Sequence, residues 1–209
     1  MNCFEELMER YPTLSVCAED IKKADEMLLS TYRAGGKILT CGNGGSCADS
    51  DHMVGELMKG FLLKRPMNED TAKRFKDNLG DEAYGFIEKL QCAVPAISLN
   101  SQSAVLSAYT NDVDAELVYA QMVFGYGKKG DILVCFSTSG NSKNAVAAAK
   151  VAKVMGVATL ALTGNTGGQL ARICDCAIKV PEAETFKIQE LHLPIYHYLC
   201  IKLEQELFG

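Results

Sequence analysis

His52 is followed four residues later by Glu56, so on a helix the two side chains share one face. Near the end of the chain a second helical segment carries Gln189 and His197. Imidazole, carboxylate and carboxamide together make a donor set for a divalent metal, zinc first. The same Glu and His types also suit a base and acid pair that moves a proton next to a carbonyl. These groups meet if the terminal helix packs beside the helix of His52, within one subunit or between two. The chain has three histidines in all. The third, His192, lies five residues before His197 and off its face, which reads as a structural or supporting position.

A reaction at a carbonyl needs a handle on the substrate, and two turns offer one. Cys41-Gly42-Asn43-Gly44-Gly45-Ser46 follows a short β-prone run, Gly36 to Thr40, and precedes a helical pattern from Ala48 to about Leu63. Its glycines allow a tight turn whose free N–H groups, with those of the next helical turn, converge on an anion. The pattern is neither G-x-G-x-x-G nor a P-loop. Further on, the apolar run Asp131 to Phe136 enters Ser137-Thr138-Ser139-Gly140-Asn141-Ser142 and then a helix of small residues, Ala145 to Met155. Each hydroxyl can donate to a phosphate oxygen, and helix capping accounts for one or two of the four, not all. Two phosphate cradles with an acid–base pair point to an aldose–ketose isomerase of phosphosugars.

The elements that must position these groups alternate. Val94 to Leu99, Val157 to Thr163 and Cys176 to Pro181 repeat the strand pattern, with helices between. Strands alternating with helices predict a doubly wound parallel sheet, with ligands at the carboxyl ends of the strands. Residues 3–34 read as a helical arm broken at Pro12, with a stripe of Leu7, Leu14, Ile21, Ala24, Leu28 and Leu29 that suits a partner subunit. Lys64-Arg65-Pro66 stops the helix of His52. The polar stretch 67–94 reads as an inserted excursion with a helix capped by Asn68 or Asp70 and another over 81–90, either a solvated pair or a flap over substrate. Ser101 to Ala108 forms a short helix, Thr110-Asn111-Asp112 a polar loop. Pro194 interrupts the last helix, 184–207.

Composition bounds the rest. A chain of 209 residues with 48% hydrophobic content suits one globular domain. A net charge of −5 argues against non-specific nucleic-acid binding. No apolar run approaches the roughly 20 residues of a membrane span, and the charged start has no secretory pattern. Nine scattered cysteines predict free thiols in a reducing cytoplasm; Cys174-Asp175-Cys176 lacks the second pair a zinc knuckle needs.

At these residues the chain resembles the sugar isomerase (SIS) family, and within it the phosphoheptose isomerases. The matching pieces are the 41–46 turn, His52-x-x-x-Glu56-Leu57, Asn111-Asp112, the 137–142 turn, Leu162-Thr163-Gly164, and Ile188-Gln189-Glu190-x-His192 followed by His197. The resemblance implies a SIS-type three-layer sandwich, a five-stranded parallel sheet flanked by helices, in a homotetramer. It implies conversion of sedoheptulose 7-phosphate to D-glycero-D-manno-heptose 7-phosphate through an enediol, with Glu56 as base and His197 as acid. It implies a zinc ion on His52, Glu56, Gln189 and His197. Ser46, Ser137, Thr138, Ser139 and Ser142 would bind phosphate, and Asn43, Gly44, Asp112 and Gln189 would contact the substrate. Three positions depart from the family: Lys59-Gly60-Phe61 replaces Gly-Arg-aromatic, Thr185-Phe186-Lys187 stands where an acid is usual, and the 67–94 segment is long. The alternatives are a non-catalytic phosphosugar-binding protein, a replication-initiator-binding relative, against which Glu56 argues, and an isomerase of another phosphosugar.

Overall fold

Runs of Ile, Leu, Val and Ala form five parallel strands: β1 (Ile38–Gly42), β2 (Ala96–Ser98), β3 (Ile132–Phe136), β4 (Ala158–Thr163) and β5 (Cys176–Lys179). The structure, a computed structural model, describes residues 2–209. The strand order is β2-β1-β3-β4-β5. The chain therefore moves outward from β1 to β2, then returns to place β3 on the other side of β1. This reversal opens a crevice at the carboxyl ends of β1 and β3, where open α/β sheets take their ligands. Cys41 pairs with Cys135 and Gly42 with Phe136, so the two special turns leave the sheet level with each other.

Continuous apolar strands imply a sheet covered on both faces. On one face Ile38, Val134, Phe136, Leu160, Leu162 and Ile178 pack under α1 (Cys3–Arg10), α2 (Ala18–Arg33), α3 (Gly45–Met58) and the terminal helix. On the other, Leu39, Cys41, Leu133, Cys135 and Ala161 pack under the helices that precede and follow β3. Between α3 and β2 the chain forms α4 (Glu69–Leu79) and α5 (Ala83–Lys89). Then come α6 (Ser103–Tyr109), α7 (Val118–Tyr126), α8 (Lys143–Val154), α9 (Leu170–Ile173) and α10 (Thr185–Phe208).

Several expectations need correction. The N-terminal stripe does not wait for a partner: Leu7, Leu14, Ile21, Ala24 and Leu28 are buried in this chain's own core, because α10 and the sheet offer the apolar surface they need. Leu29 is only partly buried. The helix of His52 starts earlier and stops earlier, at Met58, so Lys64-Arg65-Pro66 lies beyond its end. Thr110–Asp114 is a π-helical turn that continues α6, not a loop. Pro194 does not break α10, whose buried neighbours Ile188, Ile195, Tyr196 and Leu199 hold both halves on the core across the one missing N–H.

The 67–94 excursion is a hairpin of helices. Asn68 caps α4 by accepting from the Thr71 N–H at 2.8 Å. Phe75 of α4 meets Phe86 of α5 at 6.1 Å between ring centroids. Its root is pinned where Cys92 N–H donates to the Arg65 carbonyl and Gly60 N–H donates to the Gln91 side chain.

Candidate functional site

Two turns and two helices build the site. After β1 the chain turns through Gly44, whose φ of +57° favours glycine, into the first turn of α3. Among the described residues no side chain caps α3, and Ser142 makes no capping bond to α8. Two helix N-termini at the crevice thus lack side-chain caps, the arrangement that attracts an anion.

The hydroxyl turn is more self-occupied than its composition suggests. Ser137 and Ser142 lie 2.9 Å apart, oxygen to oxygen, and the Ser139 hydroxyl accepts from the Asn141 N–H at 3.1 Å. Internal bonds therefore engage three of the four hydroxyls, none of them as a cap of α8, and the fourth is left over. Donors still remain. A hydroxyl has one proton, so the Ser137–Ser142 pair keeps one unspent, Ser139 keeps its own, and Thr138 completes the set. Ser46 is buried under the first turn, against Gly42.

Asn43 is locked by a pair of bonds with Asn144, at 2.8 and 3.0 Å. Tyr119 and Asn100 both donate to the Gly42 carbonyl at 2.8 Å. These three partners tie the first turn to α7, α8 and the segment after β2. The sequence reading did not single them out, since each is an ordinary polar residue until the fold brings it to the turn. Asp112 stands apart, exposed in the π-helical turn, where its carboxylate accepts from Asn111.

α3 and α10 run side by side in the same direction. Gly45 faces Gln189: a side chain at position 45 would meet the Gln189 amide at 2.6 Å. About two turns on, His52 meets Tyr196 and His197, and beyond α3 the Phe61 N–H meets Glu204. His52 Nε2 lies 3.2 Å from Glu56 Oε1, and Lys59 Nζ lies 2.7 Å from Glu56 Oε2. The His197 ring sits 5.0 Å from the His52 ring and 5.4 Å from Phe61, with its Nε2 buried and without a hydrogen-bond partner among the described residues. His52, Glu56 and His197 are therefore together. Gln189 is eight residues from His197, about 12 Å along the helix, and lies against the glycine turn instead.

Electrostatics sets the protonation of this group. Burial raises the Glu56 carboxyl, but Lys59 and His52 outweigh it and hold the group below the ordinary carboxylate range. Burial and the neighbouring His52 lower His197, which Glu56 opposes only in part. At neutral pH Glu56 is thus ionised and His197 neutral, the forms that ligate a metal or exchange a proton. Asp49 on α3 is pushed by burial up to about 6, against a bond from Tyr196 and the charge of His52.

Among the described residues no group of three or more His, Cys, Asp and Glu side chains is arranged to hold a metal ion. The donor chemistry nonetheless fits one. Neighbouring ligands of a tetrahedral zinc are about 3.4 Å apart for bonds of about 2.1 Å, close to the 3.2 Å between His52 and Glu56. The unpartnered His197 Nε2 is a third donor in the same place.

His197 also opens onto a cavity of about 480 Å³ between α1 and α10, lined by Arg10, Tyr11 and Leu62 among others. Among the described residues no helix is long and apolar enough to cross a membrane. All nine cysteines are free thiols.

Comparison with known proteins bears on the same residues. The sequence pattern of the SIS domain family matches residues 4–79 and 76–164, two segments that meet inside the α4–α5 excursion. A phosphoheptose isomerase of Akkermansia muciniphila is 36% identical over 203 residues, covering 97% of this chain and 94% of that protein. The structure of a phosphoheptose isomerase from Neisseria gonorrhoeae superposes with a TM-score of 0.75 at 30% identity, covering 97% of this chain and 95% of the other. One from Francisella tularensis gives 0.77 at 28% identity over 97% and 94%. In sequence over nearly its whole length, and in its five-stranded parallel sheet, this chain belongs to the SIS domain family, among relatives that are phosphoheptose isomerases.

Proposed function

We propose that this protein is a phosphoheptose isomerase, an aldose–ketose isomerase that interconverts sedoheptulose 7-phosphate and D-glycero-D-manno-heptose 7-phosphate. The observation that carries the reading is Glu56, ionised and 3.2 Å from His52, on the helix that starts in the glycine turn. It stands in a chain matched over 97% of its length by a phosphoheptose isomerase.

The phosphate sits at the crevice, on the α3 and α8 N-termini and the hydroxyls of Ser46, Ser137, Thr138, Ser139 and Ser142. Asn43, Gly44, Asp112 and Gln189 orient the sugar. Glu56 takes the proton from the carbon beside the carbonyl, and the His197 N–H gives a proton to the carbonyl oxygen, leaving the enediol. Glu56 then returns its proton to the other carbon while the hydroxyl on the first carbon gives its proton back to His197 and becomes the new carbonyl, which completes the exchange of aldose for ketose. We assign His52, Glu56 and His197, with Gln189, as the residues that would hold zinc. That ion would polarise the carbonyl and favour loss of the adjacent proton.

We further propose a cytoplasmic homotetramer whose sites are shared between subunits. The roughly 12 Å between Gln189 and His197 along one helix supports the sharing, because a second copy can supply what one chain holds apart. Val105 and Val113 line an apolar surface groove, and Leu117 and Phe124 are exposed, as an assembling protein requires.

The test is an isomerase assay of the zinc-loaded protein on sedoheptulose 7-phosphate, beside pentose and hexose phosphates. Turnover of the heptulose phosphate above the others is expected. Preference for a shorter sugar would replace the substrate and keep the chemistry. Binding without turnover of any would leave a phosphosugar-binding protein.

A further inference from the structure

We propose that Asn144 is a positioning residue for substrate recognition: it fixes the Asn43 carboxamide so that the one group Asn43 leaves for a ligand is an N–H donor. The inference rests on the reading of Asn43 as a substrate contact. It adds the residue that aims Asn43 and the kind of atom Asn43 takes.

Asn43 stands just before Gly44 and the start of α3, and Asn144 is the second residue of α8. Though 101 positions apart in sequence, the two bridge the turns assigned to the phosphate. Asn43 Nδ2 donates to Asn144 Oδ1 at 2.8 Å, and Asn144 Nδ2 donates to Asn43 Oδ1 at 3.0 Å. Such a pair is satisfied equally well with both amides turned over, so the pair alone does not set which atom faces the crevice. A third group decides it. The Ala145 N–H donates to Asn144 Oδ1 at 2.9 Å. A backbone N–H only donates, so the atom it faces is the oxygen. With Asn144 fixed in this way, its Nδ2 must meet the oxygen of Asn43.

The donors and acceptors of Asn43 can then be counted. Its Oδ1 accepts from Asn144, and the Tyr119 hydroxyl lies 3.2 Å from the same oxygen. Tyr119 is buried and also bonds the Gly42 carbonyl, so the oxygen of Asn43 is turned toward protein. One Nδ2 proton is spent on Asn144, and among the described residues no acceptor takes the other. Asn43 itself is exposed at the turn. It therefore offers a ligand a donor and recognises an acceptor, an oxygen of the sugar phosphate. Without Asn144 the carboxamide is free to turn and presents either face. Loss of Asn144 thus weakens binding through Asn43 and not on its own account.

The test is a double-mutant cycle on binding of a heptitol 7-phosphate, the reduced substrate, which lacks the carbonyl and binds without turnover. Calorimetry compares wild type, Asn43→Ala, Asn144→Ala and the double variant, each checked by thermal unfolding. Binding is expected to weaken about 10-fold in Asn43→Ala, the worth of one hydrogen bond, and about 5-fold in Asn144→Ala. The double variant should bind like Asn43→Ala, about 10-fold and not about 50-fold weaker than wild type, because coupled residues do not add. In ligand-free protein, hydrogen exchange of the Asn43 side-chain amide should quicken in Asn144→Ala. Should that variant not fold, Asn144→Asp, which keeps the acceptor for the Ala145 N–H and loses the donor to Asn43, takes its place in the cycle. Additive losses overturn the inference and leave the substrate site standing, as does wild-type affinity in Asn144→Ala. Wild-type affinity in Asn43→Ala removes Asn43 from the site and the inference with it. A wild type that binds no heptitol phosphate overturns the proposed function and this inference together.

Discussion

His192 shows how much a single side chain's surroundings decide. It is fully buried, its ring faces Phe136 at 6.3 Å between centroids, and among the described residues only the backbone of Thr163 comes near enough to its nitrogens to favour the charged form. Burial outweighs that contact and lowers it to about 4. An unfolded chain binds that proton near pH 6.5, so the stability due to a neutral His192 is complete above about 6.5 and is lost as pH falls toward 4. Replacing His192 with Leu should flatten this part of the profile: denaturant midpoints compared at pH 7 and pH 5 should drop less in the variant than in wild type. An equal drop would show that His192 does not titrate as its burial requires. At this scale the sequence was legible where chemistry and spacing coincide. His52 and Glu56 meet because i and i+4 must meet on a helix, whereas Asn144 gains meaning only when its turn lies beside that of Asn43.

At the scale of elements the account turns on how α3 and α10 are held together. Arg65 and Glu204 are both fully buried and 2.7 Å apart. Glu204 also accepts from the N–H groups of Phe61, Leu62 and Leu63, while Arg65 donates to the carbonyls of Leu57 and Glu56. This pair satisfies the end of α3 and clamps it to α10, which fixes Glu56 relative to His197. Glu204→Gln leaves a buried guanidinium without its counter-charge, and a loss of about 3–5 kcal/mol is expected from denaturant unfolding. A loss below about 1 kcal/mol would mean the clamp is not structural. Gly45 supplies the other end of the contact. Gly45→Ala places a methyl 2.6 Å from the Gln189 amide, so Gln189 must move. Weaker substrate binding, read as a higher KM with the thermal midpoint little changed, is the expected result; an unchanged KM would remove Gln189 from the substrate site. Strand and helix order could be read from apolar periodicity. The ends of α3 and the continuity of α10 through Pro194 could not, because burial of neighbouring side chains overrides local propensity there.

For the whole molecule, the strand order puts two uncapped helix N-termini at the β1/β3 reversal, which is what makes a parallel sheet a phosphate binder. Parallel doubly wound architecture followed from the alternation of strands and helices. The destination of the N-terminal stripe did not, because a helix records that one face is apolar and not which surface covers it. That stripe is spent inside the chain, so the proposed tetramer would use other surfaces, such as the exposed Val113 and Phe124. Light scattering should give a mass near four times the 22.7 kDa of one chain. A fully active monomer would contradict the shared site.

The most direct test of the central claim is the rate of sedoheptulose 7-phosphate isomerisation by zinc-supplied wild type beside Glu56→Gln. The carboxamide keeps the shape of the side chain and removes the base. The account predicts an unchanged fold by thermal unfolding and a loss of kcat of about 10²- to 10⁴-fold. A Glu56→Gln protein that turns over the substrate at the wild-type rate would contradict it.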